Sequence, residues 1–121
     1  MAAVTLEQLL ESARRWAHDD VDPATIRELL ALVTDESEAE LRDRFSMNLE
    51  FGTAGLRGVL GAGPNRMNRA VVLRTTAGLC AYLKSRSPDA TSLGIVVGYD
   101  GRHLSDTFAV DVTQNGSNLF G

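Results

Sequence analysis

"GIVVGYDGRHLS", residues 94–105, carries the reading that decides the fold. Ile95, Val96 and Val97 are a β-branched and aliphatic run with no charge before Asp100, the pattern of a short strand buried on both faces. Glycine and charged residues follow at once, and Ser105 or Asp106 then opens a helical stretch. Strand followed by helix is one step of an α/β layer structure with at least partly parallel strands.

Working back from this run, "NRAVVLRTTAGLCAYLKSRSP" has helical period, with Asn68 as N-cap and Val72, Thr76, Leu79 and Leu83 on one face. Pro88 stops that helix. The single cysteine, Cys80, lies among its apolar residues and reads as a buried small hydrophobe. Before the helix comes "NLEFGTAGLRGVLGAG", where Leu49, Phe51, Leu56, Val59 and Leu60 alternate with five glycines. Glycines inside an apolar run predict a kinked or bulged strand, here leading into a turn at Gly63 and Pro64.

Three helices are predicted ahead of this segment. The first covers about residues 5–18, with Thr5 as N-cap and Gln8 at the capping-box position. The second starts at Asp22 and Pro23 and ends near Thr34. The third is short, with Ser37 placed to cap and Glu40 three residues on. The domain division expected is therefore a helical extension over residues 1–46 and an α/β segment over residues 47–121. In "TQNGSNLFG" the asparagines and glycines break the helical pattern, so residues 115–121 are expected to be disordered or non-native. Two strands are too few for a stable open sheet, which makes the α/β part incomplete.

Composition narrows the function classes. The 121 residues are 44% hydrophobic and 23% charged, with a net charge of −4. Such a chain has the core of one domain, and its acidity argues against nucleic-acid binding through a basic surface. The N-terminus lacks a signal-peptide pattern, and no apolar run reaches the roughly 18 residues of a membrane span, so a cytoplasmic location is expected.

Candidate chemistry sits at the ends of the two strands, where open α/β sheets bind ligands. Arg57 and Arg102 each follow glycine-rich turns, and a guanidinium fork beside unhindered backbone N–H groups suits a phosphate. Thr53 can add a hydroxyl donor. The competing reading makes the glycines turn residues and pairs the arginines with acids such as Asp100 and Asp106. His103 is a surface residue, a phosphate-side donor or a general acid or base. Asp100 caps its turn or orients an arginine, and no metal site is expected there. Arg66 and Asn68 read as a turn and a helix cap. "GTAGLRG" is neither a P-loop nor a dinucleotide fingerprint.

Taken together, "EFGTAGLRGVLGAGPNRMN" (50–68) and "GIVVGYDGRHLS" resemble the start of the α-D-phosphohexomutase superfamily, in its phosphoglucomutase and phosphopentomutase branch. The resemblance is strong over about residues 48–110. It implies an incomplete α/β/α domain I, preceded by the N-terminal helical extension of that branch. It further implies a phosphoglucomutase- or phosphomannomutase-type isomerase, an intramolecular phosphotransferase interconverting sugar 1-phosphate and 6-phosphate. Such enzymes use a phosphoserine, Mg²⁺ and a glucose 1,6-bisphosphate-type activator. Carried over residue by residue, the resemblance makes Arg57 and Thr53 active-site groups on the phosphate side, with Arg102 and His103 bordering the substrate cleft.

The family's "TASHNP"-like serine loop, "DGDGDR"-like metal loop, sugar loop and phosphate loop do not occur in these residues. The chain alone is therefore expected to be inactive and without metal ligands. A stand-alone sugar-phosphate-binding or interaction module, and a non-functional remnant that self-associates through an uncovered sheet edge, are the alternatives.

Overall fold

Helix α1, Leu6–Asp19, starts where its cap allows. The Thr5 hydroxyl accepts from the Gln8 backbone N–H at 3.2 Å, and the Gln8 side chain accepts from the Thr5 N–H at 2.9 Å. This reciprocal pairing satisfies two N–H groups that a helix start otherwise leaves open. Helix α2, Pro23–Thr34, has proline at its first position and the Asp22 carboxylate accepting from Ala24 N–H at 3.0 Å. Helix α3, Glu38–Phe45, begins after Ser37, but the Ser37 side chain makes no cap hydrogen bond, which corrects the capping box expected there. Glu40 turns instead to Arg44, one helical turn on.

The structure is a computed structural model that describes residues 3–53 and 55–120, with side chains to residue 117. It divides into two compact units, one ending at Asn68 and the other beginning at Arg69. In the first, α1 packs on α2 and α3. Leu9, Leu10, Ala13, Trp16 and Ala17 of α1 meet Leu29 of α2 and Leu41 of α3 as the buried core. The Trp16 and Phe45 rings stand edge to face at 6.2 Å.

The glycine segment is a hairpin and not the kinked single strand expected. Strand β1, Phe51–Gly52, pairs antiparallel with β2, Gly55–Leu56, in the register Phe51 to Leu56 and Gly52 to Gly55. Gly55 has φ +94°, a backbone that a side chain would strain. The glycines thus reverse the chain completely where a bulge would only have bent it. The sheet formed by the described residues is this two-stranded antiparallel one, so the partly parallel layer read from the sequence is corrected.

In the second unit, helix α4, Arg69–Arg86, is followed by a single turn, α5, Ala90–Leu93, and by helix α6, Ser105–Phe120. Cys80 is fully buried on α4. Residues 94–100 form no strand, contrary to expectation. Their sequence suits a strand, but a strand also needs a neighbour, and among the described residues none pairs with them. Val96 is consequently 97% exposed.

The tail also departs from expectation, since residues 115–120 continue α6 instead of being disordered; Gly121 lies outside the described residues. Asn115 and Gly116 are poor helix formers, but α6 packs along α4, and tertiary contacts outweigh propensity. The Asn115 side chain donates to the Leu73 carbonyl at 2.8 Å. One turn earlier, buried Asp111 accepts from Arg69 Nε and Nη2 at 2.9 and 3.0 Å.

Candidate functional site

Thr53 directly follows β1 and Arg57 directly follows β2; both are exposed. The hairpin thus brings these two sequence-predicted residues onto one short element. Arg57 has no ion-pair partner among the described residues. Behind it, a Cβ on Gly58 would lie 2.7 Å from Leu49 Cδ2, so the glycine lets Leu49 close over the hairpin base.

The loop over residues 61–68 braces that base from both sides. Leu49 N–H donates to the Pro64 carbonyl at 3.0 Å, Met67 N–H to Val59 at 2.8 Å, and Gly61 N–H to Met67 at 3.1 Å. Gly61 and Gly63 have φ of +155° and +108°. The Asn68 amide donates to their carbonyls at 2.9 and 2.8 Å, which gives it a loop-tying role beside its place ahead of α4. Arg66 is buried and donates to the Asp43 carboxylate and to the Asn65 carbonyl, so it is a structural tie and no free anion ligand.

Arg44 of α3 makes three hydrogen bonds from its guanidinium, one of them to the same loop. Its Nη1 donates to Glu28 Oε1 at 2.8 Å and to the Ala62 carbonyl at 3.2 Å, and its Nε to Glu40 Oε2 at 3.0 Å. Glu28 Oε2 in turn accepts from the Ala62 N–H at 3.1 Å. Burial by itself lowers the Arg44 pKa, but hydrogen bonds and charge from Glu28 and Glu40 outweigh it and raise the pKa above the ordinary value. Spacing makes the Glu40–Arg44 pair visible in the sequence, whereas the Glu28–Arg44–Ala62 contact, between distant positions, carries no local signal.

Arg102 and His103 lie together in the exposed turn before α6. Arg102 Nε pairs with Asp100 Oδ2 at 3.2 Å, with the arginine side chain 87% exposed, so an incoming anion would compete with a weak surface pair. The Arg102 backbone N–H, then the Ser105 hydroxyl and the Arg102 charge, hold the Asp100 carboxyl below its ordinary pKa. Asp100 therefore shapes the turn: Arg102 N–H donates to its Oδ1 at 3.0 Å, and its own N–H donates to Ser105 Oγ at 3.1 Å. Leu104 closes the turn at φ +66°.

An exposed arginine behind a glycine-turned hairpin presents its guanidinium fork to solvent, a chemistry that suits a phosphate. The particular family follows from comparison. The model for phosphoglucomutase/phosphomannomutase, alpha/beta/alpha domain I, matches residues 48–115, and the chain belongs to this family.

Curated relatives include the phosphopentomutase of Pongo abelii, 38% identical over 95 residues that cover 78% of this chain and 16% of the relative. The phosphoribomutase of Saccharomyces cerevisiae is 43% identical over 94 residues, covering 78% of this chain and 15% of its own. The glucose 1,6-bisphosphate synthase of Mus musculus is 38% identical over 95 residues, again 78% and 15%. The chain thus spans about one-sixth of the length of the first of these relatives. No solved structure gives a significant match.

Relatives of this kind imply Mg²⁺, and the described residues do not fit it: they gather no group of three or more His, Cys, Asp or Glu side chains able to hold an ion. Among the described residues, no helix is long and apolar enough to cross a membrane.

Proposed function

We propose that this chain is the N-terminal part of domain I of a sugar-phosphate mutase, in which Arg57 and Thr53 are phosphate-side groups and Arg102 and His103 are substrate-binding groups. The observation that carries this reading is the exposed Arg57, unpaired among the described residues, behind a hairpin inside the family match. Phosphoryl transfer depends mainly on positioning and charge neutralisation, and a guanidinium held by a rigid turn supplies both. The names of the relatives support sugar phosphates as the substrate class. The start of the family match at residue 48 supports a domain boundary near 46, with the helices before it as an extension. Because the sequence holds no serine, metal or sugar loop of the family pattern, the 121 residues alone are expected to bind phosphate esters without turning them over.

Titration of the ¹⁵N-labelled chain with glucose 1-phosphate tests this. The expected result is saturable shifts at the Gly55, Arg57 and Gly58 amides with a Kd around the millimolar range, as for a few charge-assisted contacts on an open surface, and loss of those shifts in Arg57→Ala. Shifts that persist in Arg57→Ala, or their absence in the unsubstituted chain, would overturn the assignment. Mutase turnover by the purified chain would overturn the expected inactivity.

A further inference from the structure

Two charged side chains from the helical extension converge on one residue of the loop that braces the hairpin. Glu28 of α2 takes the Ala62 N–H on one carboxylate oxygen and the Arg44 guanidinium on the other. Arg44 of α3 then donates to the Ala62 carbonyl. Both backbone polar groups of a fully buried residue are thereby held by an ion pair shared between two helices. A Cβ on Gly61 would come within 3.2 Å of Arg44 Nη1 and 3.3 Å of Glu28 Oε1, so the absence of a side chain there lets the pair sit against the backbone. From Ala62 the constraint passes through short backbone hydrogen bonds at Gly61, Pro64 and Met67 to Val59 and Leu49, on either side of the hairpin.

We infer that Glu28 and Arg44 are positioning residues for the phosphate-facing surface at Arg57, acting through the loop over residues 61–68; the inference rests on the reading of Arg57 just proposed. An ion pair that merely joined two helices would need no contact with the loop. Here it holds the N–H and C=O of Ala62, and its arginine is largely enclosed by Glu28, Glu40 and the backbone, so Arg44 is itself no anion ligand. The helical extension thus determines where the arginine of a different segment stands.

The test compares Glu28→Gln, Arg44→Lys and Arg57→Ala with the unsubstituted 121-residue chain. Glu28→Gln keeps the size and one acceptor but loses the charge. Arg44→Lys keeps the charge without the planar fork, and serves as the second variant should the first fail to fold. Amide hydrogen exchange and glucose 1-phosphate titration are read on each. Exchange at Leu49, Gly61 and Met67 should accelerate by about tenfold or more in Glu28→Gln, the scale of one charge-assisted hydrogen bond, with less in Arg44→Lys. The α1 amides should keep their protection in both variants, and Kd for glucose 1-phosphate should rise in the same order.

Unchanged exchange at these three amides overturns the inference. So does accelerated exchange with unaltered affinity, which would leave the pair a plain structural tie. If the unsubstituted chain shows no Arg57-dependent binding, the functional reading fails and this inference with it. If that binding is present and Glu28→Gln and Arg44→Lys do not alter it, this inference alone fails.

Discussion

Removing Arg69 should destabilise the second unit more than removing Asp111, although the two form a single ion pair. The pair joins the first residue of α4 to the middle of α6 through two hydrogen bonds of 2.9 and 3.0 Å. The Asp111 side chain is 4% exposed and that of Arg69 is 32% exposed. In Arg69→Ala a buried carboxylate loses both its described donors. In Asp111→Ala the guanidinium left behind is one-third open to water. One-sided removal from a fully buried pair costs about 3–5 kcal/mol. Discounting for the solvent that reaches Arg69, we expect about 2–3 kcal/mol for Arg69→Ala and about 1–2 kcal/mol for Asp111→Ala.

The assay is urea unfolding followed by circular dichroism on the full chain, the two variants and the double variant, at low salt and in 1 M salt. A coupling energy of about 1–2 kcal/mol is expected. It should survive high salt in large part, because burial shields the pair from screening. A coupling within about 0.5 kcal/mol of zero would mean independent sites. It would refute the docking of α6 on α4 through this pair, and with it the case for residues 105–120 as an integral helix.

Asp100 should titrate below the ordinary aspartate value by NMR, so its interactions stabilise the turn above the unfolded-state pKa and lose that effect as pH falls through the folded-state value. Because the largest contribution is the Arg102 backbone N–H, Arg102→Ala should return only a small part of the shift; complete return to the ordinary value would refute that ordering. The run over residues 95–99, exposed at Ile95, Val96 and Tyr99 and without a backbone hydrogen bond among the described residues, should drive concentration-dependent self-association in sedimentation experiments, and Val96→Lys should suppress it. A monodisperse monomer across the concentration range would sink this expectation.

The sequence was most legible where physics is local. Thr5, Asp22 and Pro23 mark helix starts because a cap is decided within four residues, and α1 and α2 begin where they say. Ser37 carries the same signal without forming the bond, since Glu40 has a better partner in Arg44. The run over residues 94–100 shows the limit differently. Its pattern states what the segment would be if paired, and pairing depends on another part of the chain. In the tail, Asn115 looked like a helix breaker, yet its amide reaches Leu73 far back in the chain and holds the helix to α4.

The same distinction separates the two candidate arginines. Both lie beside glycines, and spacing alone made them equivalent. In the structure Arg102 already has an acid two residues away and shapes a turn with it, an outcome legible in "DGR". Arg57 has no acid at such a distance in sequence beyond the hairpin. Of the acids of α2 and α3, Glu28 and Glu40 are committed to Arg44 and Asp43 to Arg66. Arg44 and Arg66 hold the loop with these carboxylates, and Arg57 makes no ion pair among the described residues although Glu50 stands at the register position opposite it. An acidic chain can in this way keep one local surface receptive to an anion, because charge is allotted by long-range pairing and not by composition.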